Sequence, residues 1–350
     1  MIDSHISFFS QGSYGCTTYP AIKCGDVVPH VRNISKVVKN NFFSKHELEI
    51  GKLLAKIIHK ERIQKTKPFL YYYKSCPTQR EIIKTKTHFY EKCNLFKEDT
   101  TAPKHDSFVI LYGEYIPSIP NSFFFKRYFT LDNLFLLYSF SLRTISILIR
   151  NGIIHMDLHS RNIVVNTKKK DTSPTFHMID FGLSLKEKTC YQSNGDLDLH
   201  YMKYFFTYAP HHQFWSVERH LLCYMIKNKV IPNQSQLTQL IHAIYSKHTV
   251  LQQIYQENYE GYKQHVCHYY EKLCNNASSF QSLLLYLFKE SCYTWDMYSI
   301  SYFCLKLMYH HKKQSHEFCH ALKKNIHYDF TKRPKIQEQI KVFSILLKTS

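Results

Sequence analysis

The sequence has no Cys-x-x-Cys pair, no internal repeat and no low-complexity tail. Without paired cysteine hooks, His265-Val266-Cys267-His268 with Cys274 lacks the ligand spacing of a zinc module. No apolar run is long and clean enough to suggest a membrane span, because the most apolar stretch, Leu131 to Ile149, is interrupted by Asp132, Asn133 and Arg143. Acidic side chains are scarce, 27 Asp and Glu against 46 Lys and Arg, for a formal net charge of +19. That charge suits nucleic acid, acidic lipid, an acidic protein or the phosphates of a nucleotide, and does not choose among them. The densest basic runs, Lys168-Lys169-Lys170, His310-His311-Lys312-Lys313 and Lys323-Lys324, have no interleaved aromatic residues. They read as solvated faces rather than a single-strand-binding platform, so specific nucleic-acid binding is not expected. Eleven cysteines make an odd number, and no secretory segment precedes the first motif, so the expectation is a reduced, intracellular protein.

What is present is ample core. The 350 residues are 44% hydrophobic and 15% aromatic, enough for one large domain or two lobes. Ile6 to Phe9, Cys16 to Tyr19 and His30 to Lys39 read as strands around a glycine-bearing turn, Ser10-Gln11-Gly12-Ser13-Tyr14-Gly15. From Ser44 the spacing becomes helical, with Ile50, Leu53, Leu54, Ile57 and Ile58 on one face and lysines largely off it. Phe69 to Tyr73 and Phe108 to Tyr112 are short strand-like runs, the second leaving through Glu114-Tyr115-Ile116-Pro117. After Pro120 a long periodic segment predicts one helix to Arg150, ended by Asn151-Gly152. Lys168 to Pro174 reads as a hairpin turn, and the chain from about His200 onward reads as mainly helical.

The chemistry concentrates in two places. His155-Met156-Asp157-Leu158-His159-Ser160-Arg161-Asn162 is followed by Asp180-Phe181-Gly182, with apolar strand-like residues before, between and after. A carboxylate at Asp157 can orient an attacking hydroxyl, while Asn162 and Asp180 offer oxygens to Mg²⁺ bridging nucleotide phosphates. Gly12 and Gly15 would let the backbone approach those phosphates. Lys36, on a strand, is the candidate cation for the α- and β-phosphates, with Lys23 and Lys39 as competitors. Its helical partner is Glu47, which shares a face with Ile50, Gly51, Leu54 and Ile58, whereas Glu49 points roughly 160° away.

Later segments extend the pattern. Phe214-Trp215-Ser216-Val217-Glu218 resembles the stretch that closes a protein-kinase activation region, and Asp329-Phe330-Thr331-Lys332-Arg333-Pro334 the motif whose arginine pairs with that buried acid. Trp295-Asp296-Met297-Tyr298 resembles the helix start whose Asp ties down the catalytic-loop backbone. Glu218 and Asp296 lie 78 positions apart, which calls for an inserted helical block at 219–290; Asp196 is the alternative tether.

Gly-Ser-Tyr-Gly-Cys with Tyr-Pro soon after, the short Lys36-to-helix connection, His-Met-Asp-Leu-His-Ser-Arg-Asn and Trp-Ser-Val-Glu together resemble the divergent protein kinases of large cytoplasmic DNA viruses. The resemblance covers nearly the whole chain. It implies an α+β, bilobal protein-kinase-like fold: a small β-rich N-lobe with one main helix at 1–115 and a larger helical C-lobe at 116–350. It also implies a Mg²⁺- and ATP-dependent enzyme phosphorylating serine or threonine in viral or host proteins, within the host cytoplasm and the virion, while His159 and Arg161 leave a tyrosine acceptor open. The nucleotide would meet Ser10, Gln11, Gly12, Ser13, Tyr14, Gly15, Lys36 and Glu114; Asp157, Lys36 and Glu47 would serve catalysis; and Asn162 and Asp180 would hold Mg²⁺. Two positions depart from the family pattern. Ser10 stands where the first loop glycine belongs, and His159 where serine/threonine kinases carry a phosphate-contacting lysine.

Two other readings share parts of the pattern. His-x-Asp-Leu-His-x-x-Asn also occurs in small-molecule phosphotransferases of the aminoglycoside or choline kinase type, which lack the Glu218–Arg333 pair. A pseudokinase scaffold with a basic binding surface would fit the charge and Ser10, but not the retention of every metal-binding position.

Overall fold

The computed structural model describes residues 7–12, 15–97, 107–167, 173–313 and 315–349. The protein is mixed α+β, with a small antiparallel sheet and many helices. It divides into two compact units, Met1–Ile119 with Val164–Leu183, and Pro120–Ile163 with Ser184–Ser350. The sequence reading cuts the chain once, after residue 115. The structure adds a second crossing, which carries the Asp-Phe-Gly loop into the first unit.

In the first unit, β1 (Ser7–Gln11), β2 (Gly15–Tyr19), β3 (Asn33–Lys39), β4 (Tyr72–Gln79) and β5 (Ser107–Glu114) form an antiparallel sheet in the order β1-β2-β3-β5-β4. Helix α1 (Phe42–Lys60) starts at Asn41, whose side chain accepts from the Ser44 amide while the Ser44 hydroxyl accepts from the Asn41 amide. The two-residue alternation of strands decides what each sheet face meets. Val38, Val109 and Leu111 point to the side lined by Leu48 of α1. Val37, Phe108, Ile110 and Tyr112 point the other way, onto Ile83 of α2 (Arg80–Lys84), Phe89 of α3 (Thr87–Lys92), Cys93 and Phe96.

The expected strand at Phe69 to Tyr73 is displaced to β4, which contains Pro77. A proline has no N–H to give a ladder, but β4 is an edge strand and tolerates the loss. That proline hid the strand. Helices α2 and α3 escaped because five- and six-residue helices carry too few turns for a periodic signal.

Two disulfides, joining four of the eleven cysteines, correct the expectation of a fully reduced chain. Cys16 is bonded to Cys93 and Cys24 to Cys76. Cysteines 52 and 77 positions apart carry no spacing signal; tertiary packing brings Cys93, after α3, against Cys16 of β2, and Cys24, between β2 and β3, against Cys76 of β4.

After the two-residue β6 (Ile119–Pro120), the second unit opens with α4 (Asn121–Tyr128) and α5 (Leu131–Arg150), not with one continuous helix. Thr130 makes the break, its hydroxyl capping the Asn133 amide at 3.1 Å. Gly152, at φ +66°, closes α5 as expected. Among the described residues α5 is the one helix long and apolar enough to cross a membrane, and 56% of its window is buried. Its Tyr138 ring meets Phe318 and Phe343 edge-on at 5.1 and 5.0 Å, and its hydroxyl accepts from Asn325 at 2.9 Å.

Strand β7 (Ile153–Ile154) leads into the loop 155–162; β8 (Ile163–Asn166) and β9 (Thr175–Met178) follow, and β10 (Leu185–Lys186) pairs antiparallel with β7. Next come α6 (Leu199–Met202), α7 (Val217–Asn228), α8 (Gln234–Tyr245), α9 (Thr249–Tyr255), α10 (Tyr259–Asn275) and α11 (Phe280–Ser291), so the stretch 219–290 is helical. Helix α12 (Trp295–His310) is buried on nearly every face of its first three turns, as the central helix of this unit. Helices α13 (His316–Asn325) and α14 (Ile336–Thr349) complete it.

One glycine fixes how α1 meets the sheet. A Cβ on Gly51 would lie 1.9 Å from the Tyr72 carbonyl oxygen, whereas one on Gly261 of α10 would meet nothing within 4 Å. Alanine is the better helix former by about 1 kcal/mol, so Gly261→Ala stabilises by up to that amount. Gly51→Ala instead destabilises by about 1–3 kcal/mol, because backbone must move. Urea denaturation followed by far-ultraviolet circular dichroism checks the opposite signs.

Candidate active site

In the first unit the face alternation that seats α1 also aims Lys36 at that helix. Its Nζ lies 2.9 and 3.0 Å from the two oxygens of Glu47 and 3.2 Å from Asp180 Oδ1. Lys36 is 6% exposed and Glu47 5%, while Lys23, Lys39 and Glu49 are exposed. Burial pushes the Lys36 ammonium down, but Asp180 and Glu47 outweigh it and hold it well above the ordinary lysine range. Asp180 has φ +61°, a left-handed backbone uncommon for a residue with a side chain, and its own side chain stays 43% exposed. Segment 68–70 runs beside β9, with Leu70 N donating to Met178 O at 2.9 Å and Met178 N to Pro68 O at 2.8 Å. Phe181 is then held edge-on against Phe69 at 5.8 Å.

The glycine-bearing turn joins β1 to β2, with Gln11 opposite Cys16 and Gly12 N donating to Gly15 O at 2.9 Å. Ser10 is tied across the hairpin to Thr17, hydroxyl to hydroxyl at 2.6 Å. Ser13 and Tyr14 lie outside the described residues. The two glycines differ in role. Gly12 is exposed and a Cβ there would make only an ordinary contact with Gly15 O at 3.7 Å, whereas a Cβ on Gly15 would come within 2.5 Å of Val37 O, so Gly15 serves the packing of β2 on β3. Glu114, at the end of β5, has its carboxylate engaged by Lys67 and its backbone opposite Asn33.

In the second unit Asp157 follows Met156, whose φ is +70°. The strained link is gripped from both ends. Asp296 accepts from His155 N at 2.7 Å and Met156 N at 3.0 Å, and the Arg219 guanidinium donates to Met156 O. Asp296 is therefore the tether; the Asp196 side chain instead meets Asn194 Nδ2 at 2.9 Å. Asn162 donates to the Asp157 carbonyl at 2.8 Å and to its carboxylate at 3.1 Å. Two imidazoles flank that carboxylate, His159 Nε2 at 3.5 Å and His212 Nε2 at 3.8 Å. Burial favours the neutral acid, but His159, His155 and His212 outweigh it and hold Asp157 below the usual carboxylate range. His155 is fully buried and packs the loop. Arg161 is exposed.

Beneath the loop, Glu218 and Arg333 form a buried bidentate pair at 2.6 and 2.9 Å. Glu218 also accepts from Trp295 Nε1 at 3.0 Å, Tyr270 OH at 3.2 Å and the Ser216 hydroxyl. Arg333 gives further N–H groups to His327 O at 2.8 Å and Thr294 Oγ1 at 3.1 Å. Three participants were not foreseen. Arg219, 1% exposed, lies 3.7 Å over the Trp215 ring and 5.9 Å from that of Trp295, and burial pushes it down to about 10. His212 and Tyr270 likewise join the loop and the Glu218 network only through tertiary packing, for which a linear motif gives no signal.

Among the described residues no three His, Cys, Asp or Glu side chains converge as a metal site. A Mg²⁺ ion at Asn162 or Asp180 would have to complete its shell with phosphate oxygens and water, which is its habit in nucleotide enzymes. No protein-family model matches the chain, and no curated protein matches it either.

Removing one half of the Glu218–Arg333 pair strands a buried charge and its remaining donors. Arg333→Met is expected to cost about 3–5 kcal/mol, read as a shift of the urea midpoint by tryptophan fluorescence.

Acid should loosen the same unit. Burial lowers His212 to about 4 and His248 to about 3, and holds His220 far below its ordinary value. Between the ordinary histidine value near 6.5 and those folded values, the unfolded chain binds protons that the folded chain refuses. Stability is thus full above about pH 6.5 and falls as pH drops toward 4, by several kcal/mol in order of magnitude. A melting temperature independent of pH over that window would contradict the assignment.

Proposed function

We propose that this chain is a Mg²⁺- and ATP-dependent protein kinase of bilobal, protein-kinase-like build, transferring the γ-phosphoryl group to serine or threonine hydroxyls. The observation that carries the reading is Lys36, buried and charged, held by both oxygens of Glu47 and touching Asp180. A fixed cation beside an accessible carboxylate is what positioning of nucleotide phosphates and their metal requires. Asn162 and Asp180 would hold Mg²⁺, which when bound neutralises charge on the transferring phosphoryl group. Asp157, kept ionised by its imidazole neighbours, would orient the incoming hydroxyl, and Asn162, Asp296 and Arg219 keep the loop in the geometry this needs.

The buried Glu218–Arg333 pair favours a protein kinase over a small-molecule phosphotransferase. By its resemblance the chain would be a divergent kinase of a large cytoplasmic DNA virus, acting on viral or host proteins in the host cytoplasm and carried in the virion. The disulfides add that its first unit meets an oxidising step.

Purified chain with labelled ATP, Mg²⁺ and mixed protein substrates tests the proposal. Asp157→Ala is expected to lower phosphate incorporation about a hundredfold or more while leaving Mg²⁺·ATP-induced thermal stabilisation in place. Equal incorporation by both proteins would sink it.

A further inference from the structure

The two carboxylate oxygens of Asp157 are unequally used. Oδ2 takes the Asn162 amide at 3.1 Å and has His159 Nε2 at 3.5 Å. Among the described residues no donor comes within hydrogen-bond distance of Oδ1, and the ring nitrogen set against it is His212 Nε2, at 3.8 Å. Both side chains keep part of their surface open to solvent, 20% for Asp157 and 29% for His212. At 3.8 Å the two atoms are too far apart to bond each other. They are close enough to share a third. An oxygen about 2.8 Å from each would subtend about 85° between them, within the broad range of directions over which a hydroxyl donates one hydrogen bond and accepts another.

The backbone that carries His212 is fixed on several sides. His212 N donates to Ala209 O at 3.0 Å and Trp215 N to His212 O at 3.1 Å, which folds the segment into tight turns. Gln213 Nε2 donates to Lys247 O at 2.6 Å, and Ser299 Oγ, on α12, to Phe214 O at 2.7 Å. The imidazole itself lies 4.4 Å from the Trp215 ring, which the Arg219 guanidinium covers at 3.7 Å. Burial keeps the ring neutral near pH 7. Its Nδ1 is buried without a hydrogen-bond partner among the described residues, so the single proton gains nothing there. On Nε2 the same proton turns a donor toward the carboxylate, and electrostatics select that tautomer.

We propose that His212 is a second hydroxyl-binding residue: its Nε2–H donates to the oxygen of the acceptor serine or threonine while that hydroxyl donates to Asp157 Oδ1. The inference rests on the kinase reading above and deepens it by naming the group that holds the acceptor. Held in this way, the oxygen directs its proton at the carboxylate, spends one lone pair on the imidazole and keeps the other for phosphorus. In the transfer step the bond from acceptor oxygen to γ-phosphorus forms. The bond from that phosphorus to the bridging oxygen breaks, its electron pair leaves on the nucleoside diphosphate, and the hydroxyl proton passes to Asp157. His212 neither gains nor loses a proton. A residue that only packed against Trp215 would need its ring and not its N–H, whereas holding the acceptor needs the N–H and not the ring.

The test uses the full chain with Mg²⁺·ATP and a degenerate peptide pool centred on serine, with Asp157→Ala as the control for the kinase reading. His212→Phe keeps a ring for Trp215 and has no N–H. His212→Gln loses the ring and puts an amide N–H where Nε2–H stood. Initial rates are expected to show kcat/KM for the peptide pool falling about tenfold in His212→Phe and returning to within about threefold of wild type in His212→Gln, with KM for ATP unchanged in both. Wild-type kinetics in His212→Phe would overturn the assignment, and so would an equal loss in both variants. Urea midpoints identify a variant that does not fold, and the other then decides: a tenfold loss in His212→Phe or near-wild-type rates in His212→Gln support the donor, and the converse overturns it. Equal incorporation by wild type and Asp157→Ala, or none by either, removes the kinase reading and this inference with it. An inactive Asp157→Ala beside an unaffected His212→Phe removes His212 alone.

Discussion

A charge taken out of water has to be met by an opposite charge or a full set of hydrogen bonds, and both units are organised around that requirement. In the first, the ammonium of Lys36 is the group to be satisfied. Glu47 can reach it only if α1 lies almost on the backbone of β4, and the absent side chain of Gly51 permits that approach. In the second unit buried Glu218 and Arg333 satisfy each other, buried Asp296 is met by the amides of His155 and Met156, and Arg219, whose Nε and Nη2 lack hydrogen-bond partners among the described residues, is met by Met156 O and the Trp215 ring. The loop around Met156 and Asp157 is thus held by charges that would be unstable without it.

The same logic accompanies two of the chain's left-handed residues. Met156 and Asp180 both adopt left-handed conformations that side chains ordinarily avoid. Each is adjacent to, or part of, the chemistry that motivates the kinase reading. Each is also fastened by ionic hydrogen bonds, Met156 through Asp296 and Arg219, Asp180 through Lys36.

Much of this was legible in the linear sequence, and the failures share a cause. Helix α1 announced itself because nineteen residues supply several turns of periodic burial, and that period picked Glu47 over Glu49. Asp157, Asn162, Asp180, Glu218 and Arg333 stood in ordered motifs whose residue types have few alternative uses. What stayed hidden depends on contacts between distant segments or on short elements. Pro77 disguised an edge strand, Thr130 split a helix that hydrophobic period alone would run through, and α2 and α3 were too short to show a period. The disulfides, His212 beside Asp157 and Arg219 under Met156 are products of register and packing, which local pattern does not encode. Gly15 was read for its approach to phosphates; its missing side chain also gives β3 the space it needs, which the linear sequence did not show.

The placement of tryptophan has a practical side. The chain has two, Trp215 and Trp295, and both lie in the second unit against the Arg219 guanidinium. Their emission is a built-in optical probe of the brace under the loop 155–162. It is correspondingly blind to the first unit, whose melting would pass unseen in a tryptophan trace and has to be followed through tyrosine or backbone signals.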